Sequence, residues 1–136
     1  VTLRLENNLS SEGKMLGISS LMEEIFLNLI DNGLKYNHSG GSVTVRLSEG
    51  LNKYTVSIQD TGIGIAANEL PHIFERFYRV DRSRHKAIDG TGLGLSIVKH
   101  GVNFHRGSLR VVSTVGEGTE FIIKFPKQKL EPESGE

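Results

Sequence analysis

The chain of 136 residues contains no cysteine. That excludes a disulfide scaffold, a Cys-ligated zinc site and a thiol nucleophile, and it leaves the redox compartment open. An excess of one charge is also missing: Lys plus Arg and Asp plus Glu both number 16, so no overall field favours nucleic acid or an anionic membrane. No stretch approaches the ~18 consecutive apolar residues of a membrane span. The N-terminal VTLRLENNLS lacks a basic region followed by an apolar core, so the chain reads as soluble and without a secretion signal. His38, His72, His85, His100 and His105 show no H-E-x-x-H or comparable ligand spacing, which argues against a zinc site.

What is present fits one domain, long enough to bury roughly two thirds of its unfolded surface in a two-layer core. VTLRLEN alternates as a strand does, and KMLGI reads as a short second one. Helical spacing runs over 19–37. SVTVRLSE and KYTVSIQD then alternate around the turn GLN, the pattern of an antiparallel hairpin. ANELPHIFERF, 67–77, predicts a short helix with Pro71 near its start, and TGLGLSIVKHGVNF restores helical spacing through Leu93, Ile97 and Val98. GSLRVVST and TEFIIKFP form a second hairpin around Gly116 and Gly118, and KQKLEPESGE is too charged to pack. The expected architecture is a two-layer α+β sandwich, a mixed and mostly antiparallel sheet with three helices on one face. The domain is expected over 1–126, followed by a flexible tail over 127–136.

The helix LMEEIFLNLIDNGLKYN carries Met22, Ile25, Phe26, Leu29, Ile30, Gly33 and Leu34 on one side. Glu24, Asn28, Asn32 and Lys35 fall within about a quarter of its circumference on the other. Asparagine is a poor residue for a helix interior, so two of them one turn apart call for another use. Their side-chain oxygens suit a Mg²⁺ whose remaining ligands are waters and phosphates. Lys35 can meet a phosphate, and Tyr36 offers an aromatic flank to a base or ribose.

DTGIGI follows directly on the strand YTVSIQ, so Asp60 ends a strand whose next turn holds Gly62 and Gly64. Glycines there let a flat ligand approach, and a carboxylate at the base of such a pocket accepts from an exocyclic amine. The same tripeptide also serves as a plain strand-ending turn. GTGLGLSIVK spaces Gly90, Gly92 and Gly94 at alternate positions before a helix, whose N-terminal N–H groups suit a phosphate chain. It lacks the Lys-Ser/Thr of a Walker loop and the spacing of a dinucleotide fingerprint. Arg76, Arg79, Arg82, Arg84, His85 and Lys86 cluster just before it, as phosphate partners or as solvated loop charges.

Glu24-x3-Asn28-x3-Asn32-x2-Lys35-Tyr36, Asp60-x-Gly62-x-Gly64, Phe74-Glu-Arg-Phe77 and Gly90-x-Gly92-x-Gly94 resemble, in order and spacing, the asparagine, first glycine, phenylalanine and second glycine boxes of sensor histidine kinases. FERFYRVDRSRHKAIDGTGLGLSIVKH further resembles the phosphate-regulon type of membrane-bound sensor. The resemblance implies the Bergerat-type ATP-binding fold, with ATP and Mg²⁺ as cofactors. Asp60 would receive the adenine amino group, with Gly62, Gly64 and Ile65 beside the ring. Asn28 and Asn32 would hold Mg²⁺ and phosphates, and together with Glu24 and Lys35 they would form the catalytic set. Tyr36, Arg76, Phe77, Arg79, Gly90, Thr91, Gly92, Leu93, Gly94 and Leu95 would complete the nucleotide site, residues 78–91 acting as a lid. Gly33 stands where the family usually has Ala, and Gly101 is expected to interrupt the last helix.

The family's acceptor is a His followed by an acid on a separate dimerising helical hairpin, and no histidine here is followed by one. The chain is therefore expected to be the catalytic and ATP-binding part of a longer kinase. Its partners would be that hairpin and a response regulator, without nucleic acid or direct membrane contact, in the cytoplasmic portion of a protein in the bacterial cell membrane. Two rivals stand beside it: a self-sufficient gyrase- or chaperone-type ATPase using Glu24 as general base, and a degenerate binding module that no longer transfers phosphate.

Overall fold

A computed structural model describes residues 1–9, 17, 19–78 and 94–127. Strand β1 (Thr2–Asn8) precedes helix α1 (Ser19–Lys35). Strands β2 (Ser42–Glu49) and β3 (Lys53–Asp60) follow, then a 3-10 turn (Leu70–His72), helix α2 (Gly94–Phe104) and strands β4 (Ser108–Thr114) and β5 (Gly118–Pro126). The sheet order is β1-β2-β3-β5-β4. Strand β1 runs parallel to β2, and the other three pairings are antiparallel. Both expected hairpins are present. The β2–β3 hairpin turns on residues 50–52, where Gly50 N–H donates to the Lys53 carbonyl at 2.8 Å.

Alternation sets one face of the sheet inward. Val43 on β2, Val56 and Ile58 on β3, and Phe121, Ile123 and Phe125 on β5 are buried against Ile25 and Leu29 of α1 and Val98 and Val102 of α2. Each such side chain contributes about 1.5–3 kcal/mol on leaving water. The other face is polar: Arg46 spans Glu6 at 3.0 Å and Gln59 at 2.7 Å, and Ser57 donates to Glu120 at 2.5 Å. Lys127 closes the far end, its Nζ 2.5 Å from the Glu49 carboxylate and 5.1 Å from the Tyr54 ring centre.

Three expectations change. The helix predicted over 67–77 is instead a run of tight turns, with Glu69 N–H bonding to the Ala66 carbonyl, His72 to Glu69, Glu75 to His72 and Tyr78 to Glu75. Pro71 has no N–H and its ring opposes the carbonyl four residues back, which favours turns three residues apart over an α-helical ladder. Two α-helices therefore stand among the described residues where three were expected. Nor does Gly101 interrupt α2, which runs through it to Phe104. A Cβ at Gly101 would lie 2.8 Å from Ile25 Cδ1 and 3.3 Å from Leu21 Cδ1, so the glycine lets α2 pack closely on α1. Finally, α1 ends at Lys35, two residues short of the expected 37. The KMLGI strand lies, apart from Gly17, outside the described residues.

Candidate active site

Asp60 is the last residue of β3 and pairs with the buried Val43 on β2. The pleat therefore turns its side chain toward the helical layer, and its Cβ would stand 3.3 Å from a methyl added to Gly33 of α1. Asp60 Oδ1 accepts from the N–H groups of Gly62 at 2.8 Å and Thr119 at 3.1 Å. Its second oxygen accepts no hydrogen bond among the described residues. Burial pushes the carboxyl above its ordinary range, and the two N–H bonds restrain that rise. One oxygen is thus pinned and the other is left to meet a donor.

The loop after Asp60 needs its glycines. A Cβ at Gly62 would fall 2.3 Å from the Tyr36 carbonyl oxygen. Gly64 sits at φ 75°, and a Cβ there would be 2.2 Å from the Thr114 carbonyl oxygen. Between them, Ile63 N–H donates to the Tyr36 carbonyl at 3.0 Å and its own carbonyl accepts from Gly116 N–H at 2.8 Å. Ile65 N–H donates to Ser113 Oγ at 2.7 Å, and the Ile65 side chain packs against the core.

On α1, Asn28 Nδ2 donates to the Glu24 carbonyl at 2.7 Å. That turns Asn28 Oδ1 toward α2, where a Cβ on Gly94 would meet it at 2.8 Å. Asn32 lies one turn on, and its side-chain amide makes no hydrogen bond among the described residues. Lys35 pairs with Asp31 at 3.0 Å, both side chains partly exposed, and such a pair is worth ~0–1 kcal/mol, weak enough to yield to a phosphate. Glu24 is exposed. Two neutral amide oxygens on adjacent turns fit a Mg²⁺ held mainly by phosphate and water. Among the described residues no cluster of three His, Cys, Asp or Glu offers a metal site of another kind.

The remaining expected site residues divide. Leu95, in the first turn of α2, packs against the core. Phe77 is exposed at φ 65°, with the Arg76 guanidinium 5.3 Å from its ring centre. No described hydrogen bond or ring contact joins that pair to Asp60, Asn28 or Asn32. Arg79, Gly90, Thr91, Gly92 and Leu93, with the lid expected over 78–91 beyond Tyr78, lie outside the described residues.

Besides Ser113, two polar groups escaped the sequence reading. Thr119, only 6% exposed, holds Asp60 through its N–H and stands 2.8 Å from Ser113 Oγ through its hydroxyl. Its signal was the Gly116-x-Gly118-Thr119 turn, read only as a hairpin. Asn37, just past α1, donates to the Ser42 carbonyl at 3.0 Å and accepts from Thr61 Oγ1 at 3.2 Å, tying the residue after Asp60 to β2. Nothing in its local sequence marks it.

A half-buried carboxylate at a strand end, a glycine-lined loop and an asparagine-bearing helix define a nucleotide-binding α+β sandwich. The family model for histidine kinase-, DNA gyrase B- and HSP90-like ATPases matches residues 17–129. Sensor histidine kinase RppB of Synechocystis is 44% identical over 123 residues, which are 90% of this chain and 27% of that protein. The mycobacterial sensor histidine kinase MprB superposes with TM-score 0.79 at 34% identity, covering 94% of this chain and 86% of that one. Full-length ShkA in complex with AMPPNP superposes with TM-score 0.74 at 27% identity, over 96% of this chain and 27% of that one. The chain belongs to the histidine kinase-, DNA gyrase B- and HSP90-like ATPase family, as a Bergerat-type ATP-binding catalytic domain of the bacterial sensor histidine kinase kind. It spans about a quarter of the length of RppB.

Proposed function

We propose that this domain binds Mg–ATP and passes the γ-phosphate to a histidine on a separate dimerising helical hairpin of its parent kinase, which then serves a response regulator. The observation that carries the reading is the Asp60 carboxylate, one oxygen fixed by two main-chain N–H groups and the other without a described partner. That free oxygen accepts the adenine amino group. Asn28 and Asn32 hold Mg²⁺ against the phosphates, and Lys35 exchanges Asp31 for a phosphate oxygen. In the transfer, the bond from γ-phosphorus to the β,γ-bridging oxygen breaks and a bond to the acceptor imidazole nitrogen forms. ADP leaves, and the imidazole proton passes to the acid beside that histidine. Such chemistry asks the protein mainly for positioning and charge neutralisation.

Support comes from the relatives, which are named as sensor histidine kinases, and from ShkA, whose structure holds an ATP analogue. The parent is read as a cell-membrane protein with this domain on its cytoplasmic side. The likeness to phosphate-regulon sensors rests on the wording of residues 74–100 alone. Calorimetric titration tests the base assignment: ATP and ADP bind with Mg²⁺, while GTP binds far more weakly because its O6 faces an acceptor. Equal binding of GTP would sink the adenine assignment. The self-sufficient ATPase remains the second reading, because Glu24 is exposed one turn before Asn28 on the same helix.

A further inference from the structure

Besides the bond from Gly62 N–H to Asp60 Oδ1, the loop 61–65 makes four main-chain hydrogen bonds to other parts of the fold among the described residues. Three of them end on main-chain atoms: Thr61 N–H on the Ser42 carbonyl at 3.1 Å, Ile63 N–H on the Tyr36 carbonyl at 3.0 Å, and Gly116 N–H on the Ile63 carbonyl at 2.8 Å. The fourth, from Ile65 N–H, ends on the side-chain hydroxyl of Ser113 at 2.7 Å. Ser113 stands opposite Thr119 in the β4–β5 ladder. Its hydroxyl donates to the Gly118 carbonyl at 3.1 Å and lies 2.8 Å from Thr119 Oγ1.

A serine hydroxyl has one proton and two lone pairs. Here the Gly118 carbonyl takes the proton, Ile65 N–H takes one lone pair and the Thr119 hydroxyl donates to the other. Nothing is left over for a ligand, and the rotor is fixed from three directions. The same hydroxyl therefore joins the glycine loop to the residue whose N–H holds Asp60 Oδ1. We propose that Ser113 is the positioning residue for base recognition at this site, acting through Ile65 and Thr119 to hold the loop and the Asp60 carboxylate in one geometry. This rests on the adenine reading above. Asn28, Asn32 and Lys35 sit on α1 and share no described hydrogen bond with Ser113, Ile65 or Thr119, so the latch bears on the base more than on the phosphates.

The test compares ATP with inosine triphosphate, which differs at the purine 6-position, and follows exchange of the Ile65 amide in the empty protein. Ser113→Ala leaves Ile65 N–H without its partner, so ATP should bind about tenfold more weakly and inosine triphosphate only about twofold, a fivefold loss of discrimination. Ile65 amide exchange should quicken while core amides of β3 and β5 keep their protection. Ser113→Thr restores the hydroxyl and both readouts. Ser113→Val, close in shape to threonine and well suited to a strand, repeats the deletion should the alanine variant fold poorly. Wild-type discrimination together with wild-type Ile65 protection in Ser113→Ala and Ser113→Val overturns the proposal. If the unaltered protein itself does not prefer ATP, the adenine reading falls, and Ile65 exchange still decides the latch.

Discussion

On the proposed reading Asp60 trades stability for base recognition, and the two effects separate in one variant. Asparagine keeps an oxygen for the N–H groups of Gly62 and Thr119 but removes the half-buried charge. Loss of the charge-assisted bond to adenine should cost ~1.5–3 kcal/mol, roughly 10- to 100-fold in ATP affinity by calorimetry. Stability should move the other way. The folded-state pKa of Asp60 is raised above its ordinary 3.8, so the native protein holds that proton more tightly than the unfolded chain. Wild-type stability therefore falls as pH rises through the window between 3.8 and the raised value. Thermal melts from acid to neutral pH should show Asp60→Asn level with wild type below that window and more stable above it. Parallel profiles would mean the carboxylate carries no burial penalty. Asp60 and the asparagines were legible as candidates through residue type, spacing and the resemblance to the kinase boxes. Ser113 was not, because its meaning depends on Ile65, 48 positions away in the chain.

Helix α2 shows how packing outweighs propensity. Glycine inside a helix costs about 1 kcal/mol relative to alanine, yet Gly101 is buried where a Cβ would lie 2.8 Å from Ile25 Cδ1 and 2.9 Å from Ile25 Cγ1. Ile25 is itself fully buried and has little room to turn aside. Gly101→Ala should therefore destabilise by ~1–3 kcal/mol in urea denaturation despite the helix gain. Ile25→Val trims the clashing methyl, and the double variant should lose less than the sum of the two single changes. Strict additivity would show that the helices do not meet at this point. Hairpins were readable because strand alternation and turn glycines are local signals. The 67–77 segment was misread because its apolar spacing suits a helix, while Pro71 and successive bonds three residues apart make turns of it.

The proposed base site on the sheet and the proposed metal–phosphate site on α1 meet where Gly33 of α1 packs on Asp60 Cβ. What the domain does with bound ATP depends on a nucleophile, and that distinguishes the two readings. A kinase domain whose acceptor histidine lies on another hairpin should bind ATP yet neither label itself nor turn it over appreciably. Adding the parent's helical hairpin in trans should give an acid-labile phosphohistidine on the hairpin. In that assay Asn32→Asp should abolish transfer, since a new negative charge at the metal–phosphate contact alters both coordination and electrostatics. Glu24→Gln should do less harm, because in a kinase the proton leaves the imidazole to the acid beside it and Glu24 only positions. A water-activating ATPase predicts the reverse order: steady turnover by the isolated chain, lost when Glu24 can no longer accept a proton from water. The relative effect of these two α1 substitutions, eight residues apart on the same side of the helix, therefore reports whether the attacking group is a histidine supplied by another domain or a water held by this one.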